Sequence, residues 1–182
     1  MKREKMRLIL ASAPEGKEKF IRQIEKWLGK SRADISVCLI NEALAQSDDD
    51  CRWLLSAFSS LATTFGGKLT FANLRAVAPE QLKTKMLGYD LIWCFGGYTD
   101  ELLETFEKTG FSELLPELLA GKIWVGSSAG ACVLAKNYLG LLDFAISPHE
   151  KVTLFKENTY FLTDSAGLIV DNHEILLIEN AV

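Results

Sequence analysis

The chain has 182 residues, 48% hydrophobic and 24% charged, with 13 Gly and 4 Pro, values that exclude a disordered or collagen-like protein and fit one globular domain over residues 1–182. A formal net charge of −4 argues against the basic surface that nucleic-acid binding needs. The longest apolar runs, such as 91–95 and 175–178, fall far short of the roughly 20 residues of a membrane span, and no signal-peptide apolar region follows the charged N-terminus, so a cytoplasmic protein is expected.

Residues 7–12 predict a first strand, and Phe20, Ile21, Ile24, Trp27 and Leu28 recur at the spacing of one buried helix face closed by Gly29. A second strand is predicted over 35–40. Ser47, Asp48, Asp49 and Asp50 then offer an N-cap and negative charge to a helix through Trp53, Leu54, Ala57, Phe58 and Leu61. A third strand (68–74) and a short helix (79–87) precede the run 90–95, apolar on both faces as at a sheet centre and ending in Gly96-Gly97. Two helices follow, one carrying Leu102, Leu103 and Phe106, the other Phe111, Leu114, Leu115, Leu118 and Leu119, before residues 121–125 return to the sheet. A short helix, a strand near 144–146 and a hairpin of 167–170 with 174–178, turning at Asp171-Asn172-His173, complete the pattern. This alternation predicts an α/β fold: three layers, with a mostly parallel open sheet covered by helices on both faces. The four cysteines form no C-x-x-C pair and read as reduced, buried thiols rather than metal ligands.

Gly126-Ser127-Ser128-Ala129-Gly130 matches G-x-S-x-G between an apolar strand and a small-residue helix, the setting in which a sharp turn projects the central serine above the sheet. Ser128 is the candidate nucleophile, with the Ala129 N–H and the amide of Gly97, after the neighbouring central strand, as candidate oxyanion donors. A serine nucleophile needs a base, and there are two histidines. His149 follows Ser147-Pro148 at the end of the 144–146 strand and is expected at the sheet edge that carries Ser128, whereas His173 lies in a polar turn. Asp143, Glu150 and Asp164 are candidates for the carboxylate that orients the imidazole. Neighbours on extended chain point apart, which disfavours Glu150, and Asp143 can serve merely to cap a turn. Asp164, in the loop before the next strand, is the choice.

Three ordered segments resemble peptidase family S51, the serine peptidases that include dipeptidase E and the cyanophycinases: 95–103 with its Gly96-Gly97, 125–131 around Ser128, and 141–149 ending in Pro148-His149. The resemblance implies a flavodoxin-like sheet related to class I glutamine amidotransferases. It also implies hydrolysis of a peptide or isopeptide bond in a small peptide-like substrate, without metal or organic cofactor. Ser128 would be the nucleophile, His149 the base and Asp164 the acidic third member. Dipeptidase E relatives prefer an N-terminal aspartyl residue, but no basic residue here is assigned to an acidic substrate, and no substrate-binding residue is identified. Tyr98 stands where relatives usually have Asn, Glu150 replaces an aromatic after His149, and the spacings of 21 positions from Ser128 to His149 and 15 from His149 to Asp164 are short. Those departures motivate a second reading, a noncatalytic family member with a misaligned triad that binds a small ligand or protein in the same crevice. An amidotransferase would need Cys at the turn, and Cys132 lies four positions beyond Ser128. The exposed edge of an open sheet also offers a homodimer contact.

Overall fold

The computed structural model describes residues 6–44 and 50–181. Five short runs form parallel strands, β1 (Arg7–Ala11), β2 (Val37–Ile40), β3 (Leu69–Phe71), β4 (Leu91–Cys94) and β5 (Ile123–Ser127), largely buried and apolar except for β3 at the sheet edge. Three more, β6 (Ala145–Ser147), β7 (Leu154–Lys156) and β8 (Thr159–Phe161), make a separate small sheet. The hairpin of β9 (Gly167–Asp171) and β10 (Glu174–Ile178) extends the main sheet antiparallel to β1, giving the order β10-β9-β1-β5-β4-β2-β3.

Both faces of the main sheet are covered, so its central strands are apolar on both sides. Helices α1 (Glu18–Leu28) and α2 (Arg52–Phe65) pack on Ile9, Leu39, Trp93 and Val125, with Phe65 edge-on to Trp93 at 6.3 Å between ring centroids. The opposite face, formed by Leu8, Leu10, Ile92 and Trp124, carries α3 (Pro79–Leu87), α4 (Thr99–Lys108), α5 (Phe111–Gly121) and α6 (Ala129–Cys132). Each fully buried Leu, Ile or Phe contributes about 1.5–3 kcal/mol relative to exposure, so these two layers supply the main drive to fold. Among the described residues no helix is long and apolar enough to cross a membrane.

The differences from the sequence-based expectations are local. Ser47, Asp48 and Asp49 lie outside the described residues, while the Asp50 carboxylate accepts from the Arg52 amide at 3.0 Å at the start of α2. The predicted strand 68–74 stops at Phe71, because Leu74 and Arg75 enter a 3-10 turn in which Asn73 accepts from Arg75 N and Glu42 from Leu74 N. Residues 145–147 do not join the main sheet, although His149 just beyond them does reach Ser128 at its carboxyl edge. They pair instead with β8, whose hairpin with β7 turns at Glu157 and Asn158, both at positive φ (51° and 60°) as a two-residue type I′ turn requires.

One consequence of this topology positions the site. β1 leads into α1 on one face, whereas its neighbour β5 leads into α6 on the other. Between two such strands the outgoing chains diverge and leave a crevice at the carboxyl end of the sheet, the usual ligand position in open α/β folds. Ala11 of β1 is in register with Ser127 of β5, and Gly126 with Cys94 of β4.

Candidate active site

Ser128 occupies the turn between β5 and α6 with φ 48° and ψ −108°, a conformation costly for a non-glycine residue and held only where the surroundings over-determine it. Its amide donates to the Ala11 carbonyl on β1 at 2.8 Å, and its carbonyl accepts from Ala131 N and Cys132 N at 2.9 and 3.0 Å. Glycine is required on either side of it. A Cβ at Gly126 would fall 2.3 Å from the Gly130 carbonyl oxygen, and one at Gly130 would fall 2.2 Å from that of Cys94. The buried Trp124 indole donates to the same Gly130 carbonyl at 3.0 Å, completing the clamp.

His149 follows the small sheet at φ 61°, and its amide donates to the Ser12 hydroxyl at 3.0 Å. The imidazole Nε2 lies 3.0 Å from Ser128 Oγ, and Nδ1 lies 2.6 Å from an Asp164 carboxylate oxygen. Because an ionised carboxylate only accepts, a proton on Nδ1 directed at Asp164 leaves the Nε2 lone pair facing the serine hydroxyl. The structure thus brings Ser128, His149 and Asp164 into one hydrogen-bonded chain, short spacings notwithstanding. This end is open to solvent, with the His149 side chain 52% exposed and that of Asp164 75%.

The other candidates are engaged elsewhere. Glu150 accepts from Ser147 Oγ at 2.7 Å. Asp143 lines a different cavity, shared with His173, near the amino end of β1, where Asn172 N donates to Met6 O. Cys132 sits under the Ile146 carbonyl, and burial pushes its thiol up to about 12; burial also raises the Cys94 thiol, so neither supplies a thiolate nucleophile. Among the described residues no three His, Cys, Asp or Glu side chains gather to hold a metal ion.

Gly97 and Ala129 have amides that donate to no backbone carbonyl among the described residues. Gly97 adopts φ 136°, and a Cβ there would meet the Ala43 carbonyl at 2.6 Å. Its neighbour Gly96 is the residue that abuts the serine, since a Cβ on it would fall 2.9 Å from Ser128 Cβ. Beyond Gly97 opens a hollow of about 340 Å³ lined also by Tyr98, Thr99, Asp100, Glu101 and Tyr138, with one Glu101 carboxylate oxygen buried and unpartnered.

Three contributors escape sequence reasoning. Gly96 is visible only as half of a Gly-Gly pair. Glu15, between β1 and α1, accepts from Trp93 Nε1 at 3.2 Å, and burial raises its carboxyl pKa. Ser12 reads simply as the end of a strand, although it contacts His149 directly.

The model of peptidase family S51 matches residues 8–140. The chain is 33% identical over 124 residues to the uncharacterized peptidase Lmo0363 of Listeria monocytogenes, covering 54% of this chain and 60% of that protein. It is 26% identical over 134 residues to the uncharacterized peptidase PM1590 of Pasteurella multocida, covering 59% and 65% respectively. These matches thus span less than two thirds of either relative's length. Two crystal structures share the fold. One, from Listeria monocytogenes EGD-e and provisionally described as a peptidase E protein, superposes with a TM-score of 0.78 at 20% identity over 96% of this chain and 98% of that one. The other, a peptidase from an acI-B1 Actinobacterium, gives 0.68 at 13% identity over 97% and 88%.

Proposed function

The chain belongs to peptidase family S51, and on that premise we propose that it is a serine hydrolase cleaving a peptide or isopeptide bond in a small substrate. The observation that carries this reading is the continuous chain Ser128 Oγ to His149 Nε2 (3.0 Å) and His149 Nδ1 to Asp164 (2.6 Å). Ser128 Oγ adds to the substrate carbonyl carbon while its proton passes to His149 Nε2. The oxyanion so formed is held by the amides of Gly97 and Ala129, dipoles already in place before the charge develops. His149 then returns the proton to the leaving amine, producing an acyl-Ser128. Water, deprotonated by the same imidazole, releases the acid and restores the serine. Asp164 holds the imidazole tautomer and stabilises the imidazolium between these steps.

The test is covalent labelling with a fluorophosphonate and turnover of a panel of small dipeptides. One equivalent of label on Ser128, with label and turnover both lost in Ser128→Ala, is expected. Turnover unchanged in Ser128→Ala would overturn the proposal, as would a wild-type protein that neither labels nor turns over yet binds a ligand at the crevice.

The hollow beside Gly97 sets the preference among substrates. Asp100 and Glu101 line it and no Lys or Arg does, so a carboxylate entering there meets like charge. Neutral or cationic dipeptides are therefore expected to exceed aspartyl dipeptides in kcat/KM by about tenfold or more, a gap that narrows as salt screens the repulsion. A faster aspartyl substrate would remove the hollow from the substrate path.

A further inference from the structure

We infer that Ser12 is a positioning residue, whose buried hydroxyl holds the His149 backbone in register with Ser128. This rests on the hydrolase reading of the same site, but its evidence is separate. Ser12 follows β1 directly and is 1% exposed. Its hydroxyl donates to the Leu162 carbonyl at 3.0 Å and accepts from the His149 amide at 3.0 Å. A carbonyl can only accept and an amide N–H can only donate, so these partners fix the hydroxyl's single proton and one of its lone pairs. The Ser12 carbonyl also receives Ser127 Oγ at 3.4 Å.

Two consecutive residues at the end of β1 therefore hold both reacting groups. Ala11 holds Ser128 through a main-chain bond at 2.8 Å, and Ser12 holds His149 through a side-chain bond. The same hydroxyl reaches Leu162, two positions before Asp164, so one group ties down both arms of the carboxylate–imidazole pair. That tie matters because His149 sits at φ 61° on an open surface, in a conformation L-residues rarely adopt, with no strand of the main sheet beside it. Main-chain bonds on both sides of His149, Leu162 N to Ser147 O and Glu150 N to Leu162 O, both 2.9 Å, pair the two arms with each other, and Ser12 adds the tie from that pair to the end of β1, while the Glu150 carboxylate is engaged by Ser147 Oγ. Misplacing a reacting group by about 1 Å costs on the order of 100-fold in rate.

The experiment compares wild type, Ser12→Ala and Ser12→Thr by fluorophosphonate labelling rate and by the low-field proton resonance of His149 Nδ1–H. In Ser12→Ala the labelling rate per folded molecule is expected to fall about 10- to 100-fold. The low-field resonance should broaden or vanish, and Ser12→Thr, which keeps a hydroxyl, should restore both. If Ser12→Ala does not fold, Ser12→Cys, of similar size but with a weaker donor and acceptor, is expected to shift the same readouts in the same directions. A rate loss proportional to the unfolded fraction alone, with the resonance unmoved, would make Ser12 merely structural and overturn the inference. A wild type that does not label at Ser128 would defeat the hydrolase reading instead; the resonance, which needs no turnover, would still decide whether Ser12 orders His149.

Discussion

His149→Ala is expected to lower kcat about 10⁴- to 10⁶-fold, whereas Asp164→Asn should cost only about 10²-fold. The first figure follows from His149 Nε2 being the basic side chain within hydrogen-bond reach of Ser128 Oγ, at 3.0 Å. Without it no group receives the serine proton, and what survives is oxyanion stabilisation and substrate binding. The second figure departs from triads in which the carboxylate is buried, where its loss costs on the order of 10⁴. Here the Asp164 side chain is 75% exposed and that of His149 52%, so water competes for the Nδ1 proton and screens the carboxylate's charge. Asp164→Asn should still disturb the tautomer, because an amide can present its NH₂ rather than its oxygen to Nδ1. Steady-state rates on the best dipeptide, with parallel labelling rates, measure both effects. A loss in Asp164→Asn equal to that in His149→Ala would mean that the pair is shielded from water during turnover, contrary to the open geometry.

How far this arrangement could be read from sequence depends on how local each contact is. The turn at Ser128 is legible because its requirements are contiguous: an apolar strand, Gly126, Gly130 and a small-residue helix within a few positions. The parallel sheet is legible for a similar reason, since buried runs such as Leu91–Cys94 and helical faces such as Phe20, Ile21 and Ile24 each carry their own period. His149 stands out because the chain has two histidines, and the other lies in the polar turn Asp171-Asn172-His173. Ser12 has no such signal: its partners His149 and Leu162 are 137 and 150 positions away, and nothing around residue 12 encodes them. The second sheet was equally hidden. Strands β7 and β8 have three residues each and little burial, too short for an alternating pattern, and β6 pairs in parallel with β8 across the intervening β7. A pairing of this kind leaves no mark in any window of the sequence.

Gly130→Ala is expected to destabilise the protein by about 3 kcal/mol, lowering Tm by about 6–12 °C, while Gly121→Ala is expected to be neutral or to stabilise by up to about 1 kcal/mol. The substitution is the same, and the surroundings reverse its sign. At Gly130 the new methyl would lie 2.2 Å from the Cys94 carbonyl oxygen and 2.8 Å from its carbon, and these are backbone atoms that cannot rotate aside. Moving them means disturbing β4, which is paired with β2 on one side and β5 on the other. Moving α6 instead shifts the Gly130 carbonyl that accepts from the Trp124 indole, and with it the clamp that keeps Ser128 at φ 48°. Gly121, the last residue of α5, has nothing within 4 Å of a built Cβ and does not adopt a left-handed backbone. Alanine there restricts the unfolded chain without a clash. Thermal melts measure both shifts. Labelling below the melting transition adds a second readout, because the strain at Ser128 relaxes before the fold is lost. Gly130→Ala should therefore label more slowly than wild type at temperatures where it remains folded, and Gly121→Ala should label at the wild-type rate. Equal melts for the two variants would show that the close approach of α6 to β4 can be relieved without cost, and the tight turn at Ser128 would then need another explanation.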